Sequence, residues 1–310
     1  MTTLRRLLVA TDLSGSSLHA VDRGFQIAQD TGAACTIMHA LGLDAMDRLR
    51  DMVGERAADV SQALLARRRA ALEAIASDPS RSRGVAVALH VDEGLPARAV
   101  PAHADAIDAD LVIVGAHGEG FIHRFLLGST ASTLLRKSRC PVLVVKAPCR
   151  EAYRKIMVAI DFSPASALAI RMAAALAPRA DLLLLAAFEV PFEPMLQYAG
   201  VEEDVLHRYR IEARERTLRQ LHDTARNAGL PLARYTPYVP HGDATRQILA
   251  QEERSDCDLL VMGKHGTHVT EELLLGSVTK RVLAESRSDV LVVVDKRAPP
   301  VGGAPLGSTA

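Results

Sequence analysis

One stretch of about 30 residues occurs twice, and this repeat limits the possible folds more than any other feature of the chain. The first copy is an apolar run at 111–114, then the glycines Gly115 and Gly118, nine further residues, and Gly128-Ser129-Thr130. The second copy has an apolar run at 259–262, Gly263, Gly266, nine residues, and Gly276-Ser277-Val278. The same order and spacing in both copies indicate an internal duplication.

Each copy predicts a strand, a glycine loop and a helix start, in that order. A short aliphatic run ended by glycine is typical of a buried parallel strand. Gly-Ser before an amphipathic run is typical of a helix N-terminus. Glycines let backbone amides approach a ligand closely, and the first helical turn adds unpaired donors and a partial positive charge. The repeat therefore predicts an anion-binding loop in each half of the chain.

The rest of the chain follows the same duplicated plan, with strands and helices in alternation. A length of 310 residues fits two domains. We predict a first domain at 1–147, a second at 152–296, and a disordered tail rich in proline and glycine at 297–310. Alternating strands and helices predict an α/β fold with parallel sheets and helices on both faces.

Hydrophobic patterning places the individual elements. In the first half we expect strands near 7–10, 35–40, 85–91, 111–114 and 141–145, and one long helix over 45–76. In the second half we expect strands near 156–159, 182–187, 232–239, 259–262 and 289–294, and a long helix over 202–228. The apolar fifth strands, at 142–145 and 290–294, must be covered by a partner if they form sheet edges.

Composition excludes several classes of function. Lys plus Arg and Asp plus Glu each number 37, so no basic field predicts nucleic-acid binding. No apolar run approaches the length of a membrane span, and the N-terminus has no signal-peptide core, so we expect a cytoplasmic protein without membrane association. The four cysteines show no CxxC spacing, which favours free thiols over a zinc site or disulfide framework.

These residues resemble the universal stress protein family in its tandem two-domain form. The resemblance is carried by the G-x2-G-x9-G-[ST] pattern, by an aspartate after the first strand at Asp12 and Asp161, and by the apolar fifth strands. It covers residues 4–146 and 153–295. It implies that each half is a Rossmann-like domain with strand order 3-2-1-4-5, that the fifth strands pair within the chain, and that the complete glycine pattern marks the ATP-binding branch. A homodimer of the whole chain is a further expectation.

The resemblance also implies a role for each site residue. Ligands of such sheets lie where strands one and four diverge. There Asp12 is expected near the adenosine, the Ala40 backbone near the adenine and Gly115 near the ribose. The other glycines and the helix start would hold the phosphates. The residues assigned in the first half are Ala10, Asp12, Ala40, Gly115, His117, Gly118, Gly128, Ser129 and Thr130. Those in the second half are Ala159, Asp161, Ala187, Gly263, His265, Gly266, Gly276, Ser277 and Val278.

Structural roles compete with several of these assignments. A glycine that ends a strand is often only a turn, and Asp12 and Asp161 could cap or close turns. His117 and His265 recur inside the loop, where a histidine is more often a hydrogen-bonded structural residue than a catalyst. The ligand is expected to be ATP, with ADP or AMP as alternatives, and Mg²⁺ could bridge its phosphates.

Three functions stay open at this point. One is a nucleotide-binding regulator of the stress response. A second is a slow ATPase or nucleotidyl-transfer enzyme, although the sequence lacks a Walker-type loop and a repeated general base beyond the loop histidine. A third is a structural pairing scaffold. Because Arg124 and His123 lie in the first nine-residue segment whereas the second has Glu271, Glu272 and only Lys264 upstream, we expect tighter triphosphate binding at the first site.

Overall fold

The structure is a computed structural model that describes residues 3–42, 57–118, 127–265 and 275–294. In the first half the strands are β1 (Arg6–Ala10), β2 (Ala34–Ala40), β3 (Val87–Asp92), β4 (Leu111–Gly115) and β5 (Val142–Val145). The helices are α1 (Gly15–Thr31), α2 (Ala57–Ser77), α3 (Pro79–Ser82), α4 (Pro96–Ala106) and α5 (Ser129–Lys137).

The second half repeats this series with small differences. Its strands are β6 (Lys155–Ala159), β7 (Asp181–Leu185), β8 (Tyr235–Tyr238), β9 (Leu259–Gly263) and β10 (Asp289–Val293). Its helices are α6 (Pro164–Leu176), α7 (Glu193–Tyr198), α8 (Glu203–Asn227), α9 (Ala244–Ser255) and α10 (Ser277–Glu285). None of the described helices combines the length and apolar character needed to span a bilayer.

All ten strands form one sheet in the order β3-β2-β1-β4-β5-β10-β9-β6-β7-β8. Pairing is parallel within each half, and β5 pairs with β10 in antiparallel register through Leu143 and Leu291. The prediction of two tandem α/β units with order 3-2-1-4-5 is confirmed. Because the halves run in opposite directions, the carboxyl ends of their strands lie at opposite edges of the sheet.

Strand residues alternate between two apolar cores, one on each face of the sheet. In β1, Leu7 and Val9 belong to the core on one face, which also contains residues of α1, α2, α6 and α8. Leu8 belongs to the core on the other face, which also contains residues of α4, α5, α9 and α10. Leu7, Leu8 and Val9 are fully buried, so both sides of this strand contribute hydrophobic stabilisation. Helices on both faces, predicted from the alternation of elements, are thus observed.

Several element limits differ from the sequence-based expectations. The strand predicted over 232–239 is wrong at its start, because Leu232–Arg234 forms a 3-10 turn after Pro231 and only Tyr235–Tyr238 is extended. The strand predicted over 182–187 is Asp181–Leu185. Helix α7 was not predicted. The expected long helix over 45–76 is described only from Ala57, and the predicted tail at 297–310 lies outside the described residues.

A buried polar cluster holds the junction between the halves. Asp289, 2% exposed, accepts hydrogen bonds from the Lys146 backbone amide at 2.8 Å and from the Tyr153 hydroxyl at 2.6 Å. Its carboxylate also lies 3.4 Å from Nε of Arg23, whose guanidinium stacks over the Tyr153 ring at 3.9 Å. Arg23 donates to the Glu151 carbonyl at 2.8 Å. Helix α1, the junction and β10 are therefore tied together through one carboxylate.

Candidate functional site

A cavity of about 260 Å³ lies beyond the carboxyl ends of β1 and β4. The strand order changes direction there, between β2-β1 and β4-β5, which is where open α/β sheets bind ligands. Every site residue predicted for the first half lines this cavity: Ala10, Asp12, Ala40, Gly115, His117, Gly118, Gly128, Ser129 and Thr130.

The second half has a matching cavity of about 390 Å³ beyond β6 and β9. Of the residues predicted for it, Ala159, Asp161, Ala187, Gly263, His265, Gly276, Ser277 and Val278 line the cavity. Gly266 lies outside the described residues. The two cavities occupy the same face of the sheet, because most of the apolar residues that line them belong to the core beneath α4, α5, α9 and α10.

Sequence reasoning missed the apolar walls of both cavities. Met38, Val100 and Val114 line the first cavity, and Leu185, Ile248 and Met262 line the second. Strand alternation could have identified Met38 and Val114, since they share a face with Ala10. Val100 and Ile248 come from α4 and α9, and their placement depends on how those helices pack. Each cavity therefore joins an apolar wall to a polar loop and a helix end.

The helix at each cavity begins without a side-chain cap. Gly128 is the N-cap of α5, and Gly276 is the N-cap of α10. The Gly128 amide donates to the Ala116 carbonyl at 2.8 Å, and the Gly276 amide donates to the Lys264 carbonyl at 3.0 Å. Because no side chain caps either helix, the first-turn amides are placed to donate hydrogen bonds to an anion. This agrees with the predicted helix starts at Gly-Ser.

The aspartates at the two cavities are held differently. Asp12 accepts the Ser14 amide at 3.0 Å, while the hydroxyls of Thr11 and Ser17 pair with each other at 2.8 Å. In the second half Ile160 replaces Thr11, so the corresponding Ser166 hydroxyl has no such partner. It donates to Asp161 at 2.8 Å, and the Ser163 amide donates to the same oxygen at 3.0 Å. Both aspartates close the turn after the first strand.

Close packing explains two of the glycines. A Cβ on Gly115 would lie 3.0 Å from the Ser16 carbonyl oxygen and 3.1 Å from the Ser17 Cα, so α1 could not approach β4 as it does. A Cβ on Gly118 would lie 2.7 Å from a carboxylate oxygen of Asp12. The glycine loop and the turn after β1 thus meet across the first cavity.

The polar turns also contain backbone strain at matching positions. Leu13 has φ 69° and Phe162 has φ 63°, both in the left-handed region that branched and bulky residues avoid. Such a conformation costs about 1–3 kcal/mol and is retained where the surrounding contacts fix it. Both residues follow the cavity aspartates directly. The turn after the first strand is therefore held in the same unusual shape in both halves.

The side chain of Lys264 points to the other half of the chain, although its sequence position beside the glycine loop suggested a place near the second cavity. It was the cation nearest the second glycine loop, yet its side chain is only 5% exposed. Its ammonium donates to the Arg136 carbonyl at 2.6 Å, at the end of α5 in the other half. His39, beside Ala40, is also buried; its Nδ1 lies 2.8 Å from the Thr11 carbonyl, and burial lowers its pKa.

A larger cavity, about 760 Å³, lies elsewhere, beside the junction between the halves. It is lined by side chains of both charges, among them Arg23, Arg150, Glu252 and Asp258. It contains neither a glycine loop nor a helix N-terminus of the repeated pattern. We therefore place the candidate site in the two smaller cavities, where the repeated motifs converge.

Fold and site together define a class of protein: tandem, doubly wound α/β chains with a cavity at each switch point. The chain belongs to the universal stress protein family, which it matches over residues 3–146 and again over 152–294. The family expected from the sequence is thus confirmed, as is its tandem form.

Individual relatives support the same conclusion. "Universal stress protein Rv2005c" of Mycobacterium tuberculosis is 31% identical over 194 residues, which cover 60% of this chain and 62% of that protein. The chain thus matches less than two thirds of that relative's length.

Among solved structures, a putative universal stress protein from Pseudomonas aeruginosa has a TM-score of 0.62 and 21% identity, with 94% of this chain and 93% of that one covered. One from Archaeoglobus fulgidus has a TM-score of 0.60 and 18% identity, covering 93% and 98%. These structures agree in fold.

Proposed function

We propose that this chain is a stress-response regulator that binds one adenine nucleotide in each half, with ATP as the main ligand. The observation that carries this proposal is the convergence of strand ends, glycine loop and uncapped helix N-terminus on a cavity at both switch points. A cavity with one apolar wall and a few convergent polar groups is typical of a cofactor site.

The first cavity has an apolar part and a polar part. Ala10, Val100 and Val114 offer an apolar surface that suits a purine ring, and the small Ala10 side chain leaves room for it. The α5 N-terminus, with Ser129 and Thr130, offers backbone amides and hydroxyls that suit phosphate oxygens. Asp12, in the turn after β1, lines the same cavity. In this proposal, Mg²⁺ enters with the triphosphate.

The two halves are proposed to act as domains at 1–147 and 152–296, each with its own nucleotide. Nucleotide occupancy would set the conformation that a downstream partner recognises. A cytoplasmic location and a homodimer of the whole chain stay predictions of the sequence. The pairing of β5 with β10 would hold the domains in one sheet as ligands bind and leave.

The central experiment identifies nucleotide in the protein as isolated and then counts sites. Heat-released small molecules are analysed for ATP, ADP and AMP, and calorimetry with Mg-ATP is expected to give two sites per chain. Ala10→Phe and Ala159→Phe each place a ring in one cavity, so each is expected to reduce the stoichiometry to one. Absence of binding at millimolar ATP, in protein with a normal unfolding transition, would overturn the proposal.

The same variants compare the two affinities. Ala159→Phe leaves only the first site, and Ala10→Phe leaves only the second. We propose tighter triphosphate binding at the first site, since Lys264 is buried against Arg136 in the other half. Arg124 and His123, which motivated this expectation, lie outside the described residues. Equal dissociation constants in the two variants would remove the proposed difference.

The alternative functions give different results in the same experiments. A slow ATPase or nucleotidyl-transfer enzyme would release phosphate or pyrophosphate from bound ATP over hours. This release would fall in each cavity-filling variant and would be lost when both cavities are filled in one protein. A pairing scaffold without a ligand would show no nucleotide in either assay. Stable binding without turnover supports the regulatory function.

A further inference from the structure

Each helix that begins at a candidate nucleotide site ends against a lysine of the other half, buried in the case of Lys264 and half-buried in the case of Lys146. Helix α5 starts at the first cavity with Ser129 and ends near Arg136, whose carbonyl accepts a hydrogen bond from Nζ of Lys264 at 2.6 Å. Lys264 follows Gly263 directly, in the loop of the second cavity. A residue beside the second site therefore contacts the helix of the first.

The reverse contact is also present, although it uses a different sequence position. Helix α10 starts at the second cavity, and its last carbonyls, of Leu283 and Ser286, accept from Nζ of Lys146 at 2.8 and 2.7 Å. Lys146 follows Val145, whose carbonyl accepts the amide of Ala116 in the first glycine loop at 2.8 Å. The two lysines are not equivalent in the repeat, since Lys264 aligns with Ala116.

The sheet topology explains why both contacts cross between halves. Helices α5 and α10 run back across the sheet from the carboxyl ends of their own strands. A nine-residue helix spans about 13 Å, from the 1.5 Å rise per residue. Because the halves are antiparallel at β5–β10, the end of each helix lies at the edge where the other half has its cavity.

A cation at a helix C-terminus and an anion at its N-terminus both interact favourably with the helix dipole. The lysine also satisfies terminal carbonyls that would otherwise be left unpaired. A helix fixed at its C-terminal end keeps its first turn in place, and that turn supplies the proposed phosphate contacts. An unfixed helix would lose conformational freedom when it binds the phosphates, which weakens affinity.

We propose that Lys264 is a positioning residue for the first nucleotide site and Lys146 a positioning residue for the second. This proposal rests on the proposed nucleotide binding. It predicts a crossed effect, in which removing a lysine weakens binding at the distant cavity more than at the cavity whose loop it adjoins.

The test measures Mg-ATP binding by calorimetry in single-site proteins. In the Ala159→Phe background, where only the first site remains, Lys264→Met is expected to raise the dissociation constant about threefold to tenfold. In the Ala10→Phe background, where only the second site remains, Lys264→Met is expected to change it less than about twofold. Lys264→Arg should restore most of the affinity, since it keeps a cationic donor.

Lys146→Met provides an independent second test. It is expected to raise the dissociation constant of the second site and to leave that of the first site nearly unchanged. Lys137→Met is the matched control, because Lys137 is exposed in the last turn of α5 and makes no such contact with the other half in the described structure. If Lys264→Met does not fold, Lys264→Gln carries the same comparison.

A loss confined to the site beside each lysine would overturn the proposal and assign these residues to local ligand contacts. Equal losses at both sites would also overturn it and indicate general destabilisation. Neither result resembles failure of the proposed function, in which the single-site parents themselves would not bind ATP.

Discussion

The two halves share a backbone plan but fix their sites with different side chains. In the first half, Thr11 pairs with Ser17 and leaves Asp12 to accept the Ser14 amide. In the second, Ile160 removes the hydroxyl partner and Ser166 donates to Asp161 instead. The residue directly after the first strand, Thr11 or Ile160, thus decides whether the buried serine hydroxyl bonds to its neighbour or to the cavity carboxylate.

A second difference lies at the start of the fifth strand. The first half has Pro141 there, whereas the second has Asp289, which binds Tyr153, Arg23 and the amide of Lys146. Only one half therefore carries the carboxylate that orders the junction. The comparison teaches that the halves keep the same backbone at the candidate sites, while the contacts that each makes with the other half are unequal.

The largest expected effect comes from removing this carboxylate. Asp289→Asn leaves the Arg23 guanidinium buried without its counter-charge, so we expect the free energy of unfolding to fall by about 3 kcal/mol or more. Urea unfolding measures the change. Glu151→Gln, which removes an ion pair to Arg154 between exposed side chains, should cost less than about 1 kcal/mol. Equal effects of both variants would contradict the assigned role of Asp289.

Lys146, at the contact between the halves, should make stability depend on pH. Burial, partly offset by Glu252 and Asp289, lowers the pKa of Lys146 from 10.5 to about 8. Between these pH values the unfolded chain binds more protons than the folded one, so stability from this group rises with pH across the window. At lower pH the folded protein must therefore bury the charged ammonium of Lys146, which lowers its stability.

This sign can be measured as a difference between two proteins. From pH 8 to 10.5, the unfolding free energy of the unchanged protein should rise relative to Lys146→Met, by at most about 3 kcal/mol at 1.36 kcal/mol per pKa unit. Denaturant titrations across the window test it, and Lys137→Met serves as the exposed-lysine control. A difference that falls with pH would reverse the interpretation.

The first glycines of the two loops should differ in their tolerance of alanine. At Gly115 the new Cβ meets the backbone of Ser16 and Ser17, which can only move with α1, so a loss of about 1–3 kcal/mol is expected. At Gly263 the nearest atom is the Ala165 methyl at 3.1 Å, with a backbone oxygen at 3.3 Å, and a smaller loss is expected. Thermal unfolding compares them. Gly128→Ala, with its nearest contact at 3.5 Å, is the control.

The smallest expected difference concerns the two buried serines. Ser166→Ala removes a hydrogen bond to a carboxylate and should cost about 2 kcal/mol, whereas Ser17→Ala removes bonds between neutral groups and should cost about 1 kcal/mol. Chemical denaturation resolves this difference. A larger cost for Ser17→Ala would show that the Thr11 pair matters more than the bond to Asp161.

Sequence could predict the parts of this molecule that depend on local pattern. The duplication and the alternating α/β elements followed from the repeated glycines and apolar runs, and the helix starts at Gly128 and Gly276 followed from Gly-Ser. The strand order was expected only from the resemblance to the family. Each copy of the repeated motif extends over only about 30 residues, so the pattern is visible in a short stretch of sequence. Periodicity and turn chemistry are therefore enough to identify the elements and their repeat, whereas the order of the strands came from the resemblance.

Features that depend on distant partners were not predictable in this way. Lys264 beside a glycine loop resembled a phosphate ligand, but its partner carbonyl belongs to Arg136, 128 positions away. Asp289 resembled only the start of a strand, since its partner Tyr153 is 136 positions away. Helix α7 has six residues, too few for its periodicity to show. Long-range pairing, not local propensity, decides such cases.

The antiparallel pairing of β5 with β10 has an evolutionary consequence. In a symmetric pair of identical chains, every mutation appears on both sides of the interface at once, so each residue must suit its own copy. Covalent tandem arrangement removes that constraint. Asp289 can face a junction that its counterpart Pro141 never meets, and each half is free to acquire its own specialisation while the shared sheet persists.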